Sequence, residues 1–408
     1  MKHRIVFSSL VFLALFLAVV PTALASNTWY VDGVHGSDSN NCTTRQTACK
    51  TIGHAISLAH SGDSIMVAAA TYTENLGIGF SLKIVGSGGA TTIIDGGGVT
   101  TVVTISNANA HVALSKVTIR NGHAKFGGGI FNRGTLTING STIGGNSAFN
   151  DCPKFCGGSG GGIFNEGTLT INNSTVSGNF ATAECLPYDC GGSGGGITNA
   201  NSSALMTISK STISGNFAGG DEGFGGGIDN GGMMLLNNST INGNVASAGG
   251  RTWGGGILNT NTLAINNSTI SDNSCVSVTD LDWGGGILNQ GSTVTLQNSI
   301  VAHNKRGNCS AGPMTSNGYN LSSDGSCKFN NTGDLNKTMP LLGRLQNNGG
   351  PTQTIPLLSG SPAIDAGNPN GCTDGHGHLL KTDQRGKPRP DKEDTGGCDM
   401  GAYERQKD

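Results

Sequence analysis

Charge is what this chain of 408 residues has least of. Asp, Glu, Lys and Arg make up 12% of it, about half the share of an ordinary globular domain. The formal charge is only −2, which argues against a nucleic-acid partner. Past residue 25 no stretch is long and apolar enough to span a membrane as a helix. Neither leucine-repeat spacing nor a 3.6-residue apolar period runs through the body of the chain, which removes leucine-rich and helical repeats. Low charge with much Gly, Asn, Ser and Thr would suit a disordered chain, but apolar residues recur too regularly for that.

The first residues read differently. Lys2, His3 and Arg4 precede an apolar run from Ile5 to Val20, followed by Pro21 and the triplet Ala23–Ala25. A basic start, an apolar run of this length and an A-x-A site predict a secretory signal peptide over residues 1–25. Its removal takes away Lys2 and Arg4 and moves the formal charge to −4. No cysteine follows the cut, which argues against a lipid anchor there. Export places the eleven cysteines in an oxidising compartment. Their spacing suggests local disulfides: Cys42 with Cys49, Cys152 with Cys156, Cys185 with Cys190, Cys309 with Cys327, and Cys372 with Cys398, leaving Cys275 over. Cys152, Cys156, Cys185 and Cys190 sit at equivalent places in adjacent repeats, so a zinc site is the alternative for those four.

What the chain has in quantity is glycine, 68 residues, set in repeated text. The stretch "FGGGIFNRGTLTINGSTIGGN" (Phe126–Asn146) returns five times, and the Ile of each "GGGI" falls at 130, 163, 197, 228, 257 and 287. A period near 30 residues with three short apolar bursts per period predicts an all-β, right-handed parallel β-helix with three short strands per coil. Coils stacked about 4.8 Å apart line up equivalent residues as ladders. Leu136, Ile138 and Ile143 recur as Leu169, Ile171 and Val176 and would fill the interior. Asn132, Asn165, Asn199, Asn230, Asn259 and Asn289 would form one corner ladder, and Asn146, Asn179, Asn216, Asn244, Asn273 and Asn304 another. A column of Thr142, Thr175, Thr212, Thr240 and Thr269 would point outward. An N-terminal cap over 26–64 is expected to carry a helix with Ile52, Ala55, Ile56 and Ala59 on one face. The solenoid follows over 65–304, and an irregular C-terminal cap over 305–408.

"YVDG", "CKTIGHAI", "GDSIMVAAATYTEN", the GGGI-x-N repeats and the closing "SPAIDAG", "DQRG" and "GAYE" resemble secreted bacterial β-helix repeat proteins with a choice-of-anchor Q type C-terminal region. The resemblance covers nearly all of the chain past residue 25. It implies export, the β-helix fold and retention at the cell surface or release outside it, and it carries no shared catalytic motif.

Function is expected on the variable connectors between repeats, which all leave one corner and so line one wall. They hold most of the repeat region's charge and many of its aromatic rings. Asp221, Glu222, Asp229, Asp280 and Asp282 are the candidate acids and Arg251 the candidate base, a set that a Ca²⁺-assisted polysaccharide lyase or a two-carboxylate glycosidase would need. Phe155, Tyr188, Trp253 and Trp283 are the candidate sugar-stacking rings. Neither an Arg-x-Pro-x-x-Arg run nor Asn-Thr-Asp and Asp-Asp words accompany them. The sequence therefore favours a monomeric exported scaffold that binds polysaccharide or another cell-surface glycan, with a lyase or hydrolase as the alternative.

Overall fold

The structure is a computed structural model that describes residues 26–150, 157–183, 190–291, 293–392 and 397–407. It is a right-handed parallel β-helix. Three long sheets run along its axis, and strands pair with the equivalent strands one coil above and below. One sheet stacks the "TLTI" strands from Thr28–Val31 to Thr315–Ser316, the second the "STI" strands, and the third the "GGGI" strands. Register holds residue for residue, so Leu136 pairs with Leu169, Ile138 with Ile171 and Ile130 with Ile163. The predicted interior columns are the core: Leu136, Ile138, Ile143, Ile163, Leu169, Ile171 and Val176 are all fully buried.

A fourth sheet was not foreseen. The connectors, read from sequence as loops, form strands of their own, including Ser147–Asn150, Phe180–Ala183, Phe217–Gly220, Val245–Ala248 and Ser274–Ser277. Their inward column is Ala148, Ala181, Ala218, Ala246 and Cys275, all buried. Small side chains let this sheet close tightly. Cys275, the residue left over in the expected pairing, takes the place of an alanine there, and its thiol donates to the Trp283 carbonyl at 3.4 Å.

Both asparagine ladders form. Asn132 Nδ2 donates to Asn165 Oδ1 at 2.7 Å, and the same bond repeats through Asn199, Asn230, Asn259 and Asn289. In the second ladder each Oδ1 accepts twice, from the side-chain amide and the backbone N–H of the preceding coil's asparagine, as Asn179 does from Asn146. A serine ladder joins them: the N–H of Ser141, Ser174, Ser211, Ser239 and Ser268 donates to the next coil's serine hydroxyl at 3.1–3.2 Å. The ladder residues thus meet their polar needs largely from the coil beside them.

The triple glycine has a separate reason at each position. The first, as at Gly225 with φ +59°, adopts the left-handed region. A Cβ on the second, Gly226, would strike the Val245 backbone, and one on the third, Gly227, would strike the Gly256 carbonyl in the next coil. Here the connector folds back against the solenoid too closely for any side chain.

At the N-terminal end the helix Ile52–Leu58 buries Ile52, Ala55 and Ile56. Thr51 caps it, and the Glu74 carboxylate accepts from Ile52 N and Gly53 N at 2.9 and 2.7 Å. The strand Thr28–Val31 lies beside Ser64–Val67 in the outermost coil. At the far end strand pairing continues past residue 304, to Leu335–Asn336, with Phe329 buried in the core.

The rest of the C-terminal region turns back along the flank. Gln384 donates to Ser211 O and Thr212 Oγ1 and accepts from Thr240 Oγ1, while Ala402 N donates to Thr269 Oγ1. The expected outward threonine column therefore changes character partway: Thr212, Thr240 and Thr269 are buried, because their hydroxyls are the docking points of this strap. Arg389 and Glu404, both fully buried, form an ion pair at 2.6 Å inside it, and Arg389 reaches Asn238 of the solenoid at 3.1 Å. Three expected disulfides are present, Cys42–Cys49, Cys309–Cys327 and Cys372–Cys398. Cys152, Cys156 and Cys185 lie outside the described residues, as does any pairing or zinc site built on them; Cys190 is buried. Among the described residues no helix is long and apolar enough to cross a membrane.

Candidate functional site

Two columns of residues meet on the wall where the connectors return to the GGGI strands, the first partly exposed and the second mostly buried. One is the residue before each triple glycine: Phe126, Ser159, Ser193, Phe224, Trp253 and Trp283, in register coil by coil. The other is the middle residue of each I-x-N: Phe131, Phe164, Thr198, Asp229, Leu258 and Leu288. The left-handed first glycine folds the chain so that these columns lie side by side.

Aromatic rings follow the strip at both ends. Phe126 packs on Phe164 at 4.9 Å between centroids, and Phe131 stacks on Phe164 at 5.6 Å. Further along, Phe224 meets Trp253 at 5.2 Å and Trp253 meets Trp283 at 6.3 Å. Trp283 is 45% exposed and Phe126 38%, so the strip leaves aromatic surface open to solvent at both ends. The Arg251 guanidinium lies 5.5 Å from the Trp253 ring centroid and pairs with Glu222 at 2.6 Å.

Between the aromatic ends sits Asp229. It lines a recess of about 270 Å³ together with Thr198, Phe224, Trp253, Leu258 and Gln290. Asp229 is half-buried, and its carboxyl accepts a short hydrogen bond from Ser193 Oγ; desolvation by the surrounding protein pushes its pKa up to about 6, against that hydrogen bond. Trp253 Nε1, in the same lining, is buried without a hydrogen-bond partner.

The candidate acids do not converge. Glu222 and Arg251 meet, and both neighbour Trp253 through the guanidinium. Asp229 shares its recess with Trp253. Asp221 turns toward Cys190, whose N–H lies 3.4 Å from its carboxylate, and Asp280 pairs with Arg306 at 2.9 Å in solvent. Of Asp282 only the backbone is described, paired with Thr252. Phe155 and Tyr188 lie outside the described residues. Among the described residues the expected calcium cluster is not assembled. The one trio of metal-ligating side chains close together is Cys42, Cys49 and His54, where a disulfide ties up both sulfurs.

Sequence reasoning passed over Ser193, Phe224, Phe126, Thr198 and Leu258. The signal was there: the residue before GGG and the middle of I-x-N change type from coil to coil while their neighbours stay fixed.

No protein-family profile matches the chain, and no curated protein matches it in sequence. Solved structures do resemble it. Pectate lyase Pel9A aligns over 94% of this chain and 98% of its own at 14% identity and a TM-score of 0.43. A pectin methylesterase from Aspergillus niger aligns over 77% and 86% at 14% identity and a TM-score of 0.33. A rhamnogalacturonan lyase aligns over 72% and 74% at 11% identity and a TM-score of 0.35. Likeness at this level transfers no activity.

Proposed function

We propose that the chain is an exported β-helix scaffold that binds a polysaccharide or another cell-surface glycan along the wall between its connectors and GGGI strands. The observation that carries the reading is the row Phe224, Trp253 and Trp283, which presents ring faces coil after coil along the axis. Flat, rigid rings flanked by carboxylates and amides suit the apolar faces and hydroxyl edges of sugars. A linear polymer laid along the axis would meet the same spacing of about 4.8 Å at each coil. The signal-peptide reading, the disulfides and the sequence resemblance fit a protein that works outside the cell, and the chain is proposed to act there as a monomer.

Binding without cleavage is the better fit for Arg251. Held by Glu222 at 2.6 Å, its guanidinium is charged and engaged, a poor proton-abstracting base. A hydrolytic reading draws support from Asp229 alone, whose carboxyl, raised to about 6, has the properties of a general acid. A panel of plant, algal and animal polysaccharides, incubated with the protein with and without Ca²⁺, separates these. Retention on a polymer with no new chain ends supports the scaffold. Unsaturated uronate ends would establish a lyase, and new reducing ends alone a hydrolase centred on Asp229.

A further inference from the structure

Asp229 is out of place in its column. The residues in register above and below it are Phe131, Phe164, Thr198, Leu258 and Leu288, none of them charged and all but Phe131 buried. A half-buried carboxylate there carries a desolvation cost, and it finds no charge partner in the lining, which holds no other ionisable side chain. The connector strands beside it carry Glu222 and Arg251, which are paired with each other.

The recess has the size and chemistry for one ring. Its volume of about 270 Å³ falls below the roughly 300–1,000 Å³ of sites for drug-sized ligands. Phe224 gives it a flat apolar wall. Trp253 Nε1 is a buried donor lacking an acceptor, and the Gln290 amide makes no hydrogen bond to the described residues, so two donors and one carboxylate acceptor stand around the space. A sugar ring with free hydroxyls supplies the matching partners. A uronate in the same place would set a second carboxylate against Asp229.

We propose, building on the glycan-binding reading, that this recess is a subsite for one uncharged sugar ring, packed on Phe224 with its hydroxyls bonded to Asp229, Trp253 Nε1 and Gln290, and that Asp229 turns uronate polymers away. The occupant is thus a neutral glycan rather than a pectin-type chain.

Calorimetric titration of the protein at pH 7.5 with neutral hexasaccharides of glucose, mannose, xylose and galactose, and with hexagalacturonate, tests this. At least one neutral probe binds, and hexagalacturonate binds about tenfold more weakly or worse. In Asp229→Asn, which keeps the shape and the Ser193 hydrogen bond, that gap shrinks to within about twofold. A melting curve confirms that the variant is folded. Hexagalacturonate binding as tightly as the best neutral probe, or a gap that Asp229→Asn leaves unchanged, overturns the neutral subsite while the glycan-binding face stands. Silence from all five probes with the wild-type protein overturns both.

Discussion

Trp253 and Trp283 lie over one another on successive coils, centroids 6.3 Å apart and planes 28° from parallel. Nothing in their own strands demands tryptophan, because the same position holds Ser159 and Ser193 in earlier coils. What holds the position is the left-handed glycine that follows, Gly254 and Gly284 at φ +66° and +68°. The backbone thus fixes the place, and the side chain there is free to vary for function.

The ladders set the stability. Asn199→Ala removes the acceptor for Asn165 Nδ2 and the donor to Asn230 Oδ1 in a fully buried corner. Asn165 Nδ2 keeps the Gly167 and Leu205 carbonyls, so Asn230 Oδ1 is the group left orphaned; that costs about 1–3 kcal/mol, and urea unfolding is expected to show a loss of about 2 kcal/mol. Asn201→Ala, in a turn on the surface, costs under about 1 kcal/mol by the same measurement.

Glycine substitutions sort by location. Gly226→Ala places a methyl into the Val245 backbone and the neighbouring Gly255 carbonyl, and the variant is expected to lose more than about 3 kcal/mol or to accumulate as insoluble protein. At Gly77 a Cβ meets nothing within 4 Å, so Gly77→Ala is neutral or slightly stabilising. Expression yield and melting temperature check both.

The C-terminal strap holds two buried ion pairs among the described residues, Arg385 with Asp383 and Arg389 with Glu404, and the second ties it to the solenoid. Arg389→Ala leaves Glu404 without its guanidinium and Asn238 Oδ1 without a donor. Above the raised Glu404 value of about 8, where the pair is fully charged, breaking one side of it costs about 3–5 kcal/mol. The loss falls on the strap rather than on the coils, so limited proteolysis is expected to release fragments cut within 340–407 while the solenoid survives.

Stability also follows pH with a definite sign. Burial raises Asp229 to about 6 and Glu404 to about 8, from 3.8 and 4.5. A carboxyl that binds its proton more tightly when folded contributes fully below its unfolded pKa and loses that contribution as pH rises through the folded value. Asp32, Asp38, Asp63, Asp95, Asp324 and Asp374 are lowered instead by the hydrogen bonds they accept, and their contribution is lost as pH falls below about 4. The melting temperature is therefore expected to peak near about pH 4–5 and decline toward pH 8. Asp229→Asn with Glu404→Gln flattens the decline; an unchanged slope in that double variant contradicts the assignment.

The fold was legible because a solenoid writes its contacts in register. Ile130 predicts Ile163, and Asn132 predicts Asn165, from text alone. The connector sheet was not, since its buried column is alanine, a residue with no strand signature, and its outer strands vary in length. The strap was hidden for a different reason. Gln384 and Thr212 stand 172 positions apart and no repeat relates them. For the site, the wall and its tryptophans could be read from composition, whereas the acids looked equivalent in sequence. Only the coordinates show that Asp229 is half-buried in a recess while Asp280 stands in solvent.

The central claim is that the aromatic row is a glycan-binding face. Affinity electrophoresis through gels loaded with the polysaccharide that retains the wild-type protein, run with Trp253→Ala, Trp283→Ala and the double variant, tests it most directly. The account predicts that each single change weakens retention about tenfold and that the double variant migrates as if no polymer were present, with its melting curve intact. Full retention of a folded double variant would contradict it.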